Sequence, residues 1–214
     1  NQIASFYAGA MGHAGDFSLA EAYSGTPDMV IVSPNDPAAM TNLTQECRDK
    51  GFPFIYDPSQ QVPRLSGEEL ARDMQGAHAM IVNAYEADVI SKKTGMSLIE
   101  INNTVDIFVI TQGPRGCHIY ENGDMSKVEA FPTEKRIEPT GVGDAFRAGF
   151  IYGMMSGWSL ELAAKVGSLA ATYVLEQVGT QNHHYTVDEF IARFRTEYDD
   201  EGVLDAMKTT PSAS

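Results

Sequence analysis

The sequence predicts an α/β fold, with a mostly parallel central sheet, helices on both of its faces and an antiparallel hairpin at one edge. Through the first half, apolar, β-branched runs of four or five residues alternate with longer helical patterns, the signature of βαβ units. Past residue 111 the alternation stops. There the Asn122-Gly123 pair between two extended runs marks a tight hairpin turn, and the remaining chain is helical in pattern.

The elements follow in order. A weak extended run covers 3–7, and 29–33 is the first buried strand. Asp36 then supplies an N-cap and Pro37 a first helical residue for a helix over 37–50, stopped by Gly51. A strand over 54–57 closes at Pro58. Ser66 and Glu69 form a capping box for a helix over 67–75. A strand over 79–82 leads into a helix over 84–94 ended by Gly95, and 107–111 is the next strand. The hairpin arms are 116–121 and 125–131. Helices are expected over 145–156, 160–178 and 187–198, the last with Thr186 as N-cap and Glu189 as its partner. The last dozen residues read as a frayed tail, so residues 1–200 form one α/β core and 201–214 a C-terminal tail.

Composition narrows the function. The 214 residues carry 15 Lys+Arg against 29 Asp+Glu, a net charge of −14, which argues against nucleic acid or an anionic membrane as partner. No segment approaches the roughly 18 continuous apolar residues of a membrane span. Cys47 and Cys117 stand in no zinc or redox spacing and read as reduced thiols of a cytoplasmic protein. The chain opens at Asn1 without an initiator Met or a signal-peptide pattern, so it is expected to be part of a longer or processed chain.

Three stretches carry chemistry. In Pro139-Thr-Gly-Val-Gly-Asp-Ala-Phe146, two glycines precede Asp144 at the mouth of an apolar helix. Such a turn crowds backbone N–H groups around an anion, and the helix dipole adds positive potential there. Asp144 either takes a proton from a hydroxyl or merely caps the helix. Asn83 and Glu86, three apart after a strand, either hold a hydrated Mg²⁺ through oxygen or form a capping box. In Thr111-Gln-Gly-Pro-Arg-Gly116 the glycines Gly113 and Gly116 either admit a nucleotide phosphate or turn the chain into the hairpin. Arg147, one turn past Asp144, is a phosphate neutraliser or a solvated helix arginine. His183-His184 reads as a polar loop, since adjacent residues do not share a helix face. Met154, Met155 and Trp158 read as core or interface residues.

Taken in order, Asn83-x-x-Glu86, Thr111-x-Gly113 and Pro139-Thr-Gly-Val-Gly-Asp-Ala-Phe146 resemble the ribokinase/pfkB family of carbohydrate and nucleoside kinases. Val82-Asn-Ala-Tyr-Glu-Ala87, Val109-Ile-Thr-Gln-Gly113 and Val178-Gly-Thr-Gln181 extend the likeness, which is strongest to adenosine-kinase-like bacterial members. The resemblance implies a ribokinase-like three-layer α-β-α sandwich and transfer of the γ-phosphoryl group of ATP to a nucleoside or sugar hydroxyl. It implies Asp144 as general base and Gly141, Val142 and Gly143 as the anion hole. Asn83 and Glu86 would place Mg²⁺ through water, Thr111, Gly113 and Gly116 would follow the nucleotide, and Gly167 through Ala171 would flank adenine. A monovalent cation such as K⁺ is implied beside Glu138 and Thr140, although the family usually has Asp where Glu138 stands. The Gly-Gly substrate motif and the β lid of the family's N-terminal third are not recognisable. The acceptor half is therefore expected to be absent, with an open sheet edge that favours a homodimer. A non-catalytic nucleotide-binding remnant is the competing expectation.

Overall fold

The computed structural model describes residues 6–208. Six strands form one sheet in the order β1-β2-β3-β4-β5-β6, namely Val30–Val32, Phe54–Tyr56, Ala79–Asn83, Ile107–Thr111, Cys117–Glu121 and Asp124–Val128. The first four pair in parallel with sequential neighbours, and Asn83 stands opposite Thr111 at the carboxyl end of β3 and β4. Asn122 and Gly123 both take positive φ, 52° and 87°, the backbone of the two-residue hairpin turn that joins β5 to β6. The chain divides into two compact units: residues through Thr111 with Tyr120–Met125, and Gln112–Ile119 with Ser126 onward.

The first unit holds α1 (Leu19–Ala22), α2 (Pro37–Lys50), α3 (Gly67–Asp73), α4 (Ala84–Thr94) and α5 (Leu98–Asn102). Local chemistry sets their ends. Asp36 Oδ1 accepts the Ala38 and Ala39 N–H groups, and Gly51 at φ 68° closes α2 as expected. Ser66 and Glu69 complete the foreseen box of α3, whose helix ends at Asp73, two residues early. One apolar set, including Val32, Met40, Phe54, Tyr56, Leu70, Met80, Val82, Ile90, Phe108 and Ile110, is buried in a single cluster. Each such side chain contributes on the order of 1.5–3 kcal/mol. At the far end of α4 the Lys93 ammonium donates to the carbonyls of Val62, Pro63 and Leu65 at 3.0, 2.8 and 2.6 Å. The helix and the 62–65 segment are thereby joined.

The second unit holds α6 (Val142–Met155), α7 (Leu160–Leu175) and α8 (Val187–Phe194). The α6 and α7 backbones meet directly: a Cβ on Gly149 would lie 2.7 Å from Gly167 Cα, and one on Gly153 2.8 Å from Ala163 Cα. Ser168 Oγ on α7 accepts the Phe131 N–H at 2.7 Å inside this unit's core, which Val166, Leu169, Phe190 and Phe194 also build. Arg193 grips Glu176 with two hydrogen bonds of 2.9 and 2.6 Å and lies over the Tyr173 ring.

Several expectations shift. Residues 3–5 of the first extended run lie outside the described residues, and Phe6 and Tyr7 join no strand. Helix α6 starts at Val142 rather than 145, because Gly141 at φ 82° turns the chain into the helix there. Helix α7 ends at Leu175, not 178, where its last carbonyl accepts the Ile137 and Glu138 N–H groups. Helix α8 ends at Phe194, not 198, as Arg195 leaves the helix to pair with buried Asp200. The hairpin arms are shorter than expected. Of the foreseen tail, Val203–Lys208 is a 3-10 helix with Leu204 fully buried, and 209–214 lie outside the described residues. The short helices α1 and α5 were not foreseen, although Ser97 and Glu100 box the latter.

The Arg193–Glu176 pair makes a pH prediction. Burial pushes the Glu176 carboxyl up, but hydrogen bonds from Arg193 and Thr133 and the Arg193 charge outweigh it and hold the group below its ordinary range. A carboxyl lowered by folding adds stability above its unfolded value of roughly 4.3, and that stability is lost as pH falls through the folded value. Glu176→Gln is expected to cost about 2 kcal/mol at pH 7. Urea unfolding at pH 7 and pH 3 checks this, the difference between the two proteins narrowing in acid.

Candidate functional site

In the first unit, β3 delivers Asn83 to the start of α4. Its Oδ1 accepts the Glu86 N–H at 2.8 Å, and Glu86 Oε2 accepts the Asn83 N–H at 2.8 Å. The capping box is therefore real, and it also holds two oxygen-bearing side chains at a strand's carboxyl end, Glu86 being buried. Thr111, opposite Asn83, turns its hydroxyl to the Val82 carbonyl at 3.5 Å. These three residues stand together. Exposed Tyr85 lies between Asn83 and Glu86 in sequence.

In the second unit, Gly113–Arg115 form a 3-10 turn with Gly113 at φ 57°. Gly116, at φ 84°, has a demanding position: a Cβ there would meet the Val128 carbonyl oxygen at 1.8 Å. Backbone packing alone requires glycine at 116. Gly167 is likewise explained by the α6–α7 contact, where a Cβ would lie 2.6 Å from the Phe146 oxygen, while Ala171 is half-buried on α7.

The Gly141–Asp144 turn opens α6. Gly141 is the N-cap and contributes no side chain, so Asp144 is the third helical residue and not the cap. Its carboxylate is 86% exposed and pairs with Arg147 at 3.3 Å. The first N–H groups of a helix lack intrahelical partners; here the Val142 N–H donates to the Pro139 carbonyl at 3.3 Å, and no side chain caps the turn. A Cβ on Gly141 would stand 3.1 Å from Thr180 Cβ, bringing the 178–181 stretch against the turn. Glu138 Oε2 accepts the Gly179 N–H at 2.8 Å, and Thr140 is exposed. The contacts of Thr180 and Gly179 were not read from the sequence, although both sit in the Val178-Gly-Thr-Gln181 stretch. His183 stacks on Tyr185 at 6.0 Å.

Among the described residues, no three His, Cys, Asp or Glu side chains are grouped to hold a metal, and no helix is long and apolar enough to cross a membrane. Asn83 and Glu86 nonetheless fit a hydrated Mg²⁺, which takes oxygen ligands, keeps several waters and needs few protein groups. Of the residues foreseen for K⁺, one Glu138 carboxylate oxygen accepts the Gly179 N–H and Thr140 is exposed.

A model of the pfkB family carbohydrate kinases matches residues 15–186. The chain belongs to this family. A nucleoside kinase of Methanocaldococcus jannaschii is 26% identical over 196 residues, 90% of this chain and 63% of that protein. Its solved structure, an archaeal member of the ribokinase family, superposes with a TM-score of 0.81 over 92% of this chain and 64% of that one. Burkholderia thailandensis nucleoside kinase in complex with inosine is 33% identical, with a TM-score of 0.82 over 92% of this chain and 66% of that one. The same kinase has been solved in complex with ADP-inosine. The chain thus spans somewhat less than two thirds of the relatives it matches.

Gly116→Ala is expected to destabilise the fold by about 3 kcal/mol, through strained φ and the clash with Val128. Thermal unfolding reads this as a drop of roughly 6–12 °C. Gly113→Ala meets no atom within 4 Å of the new carbon and should cost less.

Proposed function

We propose that this pfkB-family chain transfers the γ-phosphoryl group of ATP to a hydroxyl of a nucleoside. The observation that carries the reading is Asp144: an exposed carboxylate in the first turn of α6, on a glycine turn that no side chain caps. Phosphoryl transfer asks little covalent chemistry of a protein and depends on positioning and charge stabilisation. The acceptor hydroxyl gives its proton to Asp144 while the N–H groups of Gly141 and Gly143 hold the phosphoryl oxygens; the Val142 N–H is taken by the Pro139 carbonyl at 3.3 Å. The family resemblance assigns Thr111, Gly113 and Ala171 to the nucleotide, while backbone packing holds Gly116 and Gly167 to glycine. Asn83 and Glu86 would hold Mg²⁺ through its waters, and when bound the ion neutralises phosphate charge. No step is assigned to K⁺. A nucleoside is preferred to a sugar because the relatives matched over most of this chain are named nucleoside kinases, one solved with inosine. A cytoplasmic setting suits Cys47 and Cys117, buried thiols that desolvation pushes up to about 11 and about 12.

ADP release with inosine, adenosine, ribose and fructose as acceptors tests this reading. Nucleoside-dependent release is expected, and Asp144→Asn should lower kcat about a thousandfold with ATP affinity little changed. Glu86→Gln should raise the Mg²⁺ needed for half-maximal rate about tenfold. ATP binding without acceptor-dependent turnover would point instead to a nucleotide-binding chain that does no chemistry.

A further inference from the structure

β1 is an edge strand, hydrogen-bonded to β2 on one side only. The Val30 N–H donates to the Pro53 carbonyl, and the Val32 carbonyl accepts the Asp57 N–H, both at 2.9 Å. Backbone groups alternate in direction along a strand, so the N–H and C=O of Ile31 point away from β2. Among the described residues no strand pairs with them. Ile31 is 50% exposed, whereas Ile55, level with it on β2, is fully buried. Sheets protect such edges with charged side chains, proline or a bulge. The opposite edge strand, β6, carries Asp124 and Lys127, while residues 29–33 hold neither charge nor proline. β1 is an apolar and unguarded edge.

We propose that β1 is the contact surface for a second copy of this chain, paired antiparallel about a two-fold axis at Ile31. Two identical strands that meet edge to edge about such an axis are antiparallel by symmetry. The sequence selects the centre. With the axis at Ile31, that residue faces Ile31 of the partner subunit, and Met29 faces Ser33 of the partner subunit. Met29, Ile31 and Ser33 have the same parity, so their outward N–H and C=O groups bond across the seam. Moving the axis to Met29 would set Ile31 against Pro27, and moving it to Ser33 would set Met29 against Pro37. Either shift loses a donor, because proline has no N–H. In the Ile31 register Asp28, the nearest charge, falls opposite Pro34 of the partner subunit, so no like charges meet. The seam is short, and the dimer is therefore weak and dependent on concentration. The inference does not depend on the kinase reading.

Sedimentation velocity over a concentration series, with amide hydrogen exchange at its two ends, tests this. The parent is expected to pass from monomer to dimer as concentration rises. Added salt should favour the dimer, since each copy carries a charge of −14. The Met29, Ile31 and Ser33 amides should exchange about tenfold slower in the dimer, while Val30 and Val32, already bonded to β2, stay unchanged. Ile31→Lys and Ile31→Pro should each hold the chain monomeric, the proline removing an outward N–H that β2 does not use. Thermal unfolding checks that both variants are folded; where one is not, the amide pattern of the parent decides. A parent that stays monomeric throughout overturns the inference, as does a dimer that neither substitution weakens. A monomer whose 29, 31 and 33 amides are already protected has another segment of the chain over this edge, and that too overturns it.

Discussion

The backbones of α6 and α7 meet at glycines, and the glycine turn that opens α6 hangs on that contact. Gly149 against Gly167 and Gly153 against Ala163 bring the helices closer than any larger residue permits. Close packing fixes the axis of α6, and with it the direction in which its first N–H groups and Asp144 project. The stacked Phe146 and Phe150 rings, 6.0 Å apart, occupy the same helix and stay buried. A methyl group in the crossing would move the whole first turn, because a packed helix shifts as a unit.

Much of this was legible in the sequence, for local reasons. Helices α2 and α4 begin and end where Asp36-Pro37, Gly51, Asn83 and Gly95 direct, since caps and left-handed glycines act over three or four residues. The Asn83–Glu86 spacing left a capping box and a pair of oxygen ligands as alternatives, and the box is present. The start of α6 was set three residues late because Gly141-Val-Gly143 is poor helix material. Its conformation comes from Gly141 turning the chain and from packing against Thr180. The burial of Arg147 and the demand of the Val128 carbonyl on Gly116 were not legible at all. Both are tertiary facts, created by segments that the local pattern cannot see.

On the proposed reading an acidic protein binds a polyanion and must override its own field. The net charge of −14 is spread over the surface, where water and salt screen it within about 8–10 Å. The partial charges of a helix N-terminus act at contact range, where screening is weaker. A few groups close to the ligand can therefore outweigh a larger number of distant carboxylates.

Lys93 gives α4 a second anchor. Its ammonium, caged by three carbonyl oxygens, ties the far end of the helix to the 62–65 segment, while the capping box closes the near end. An ion held as proposed by Asn83 and Glu86 would find side chains whose conformational entropy was surrendered when the chain folded. Little would then remain to be lost on binding.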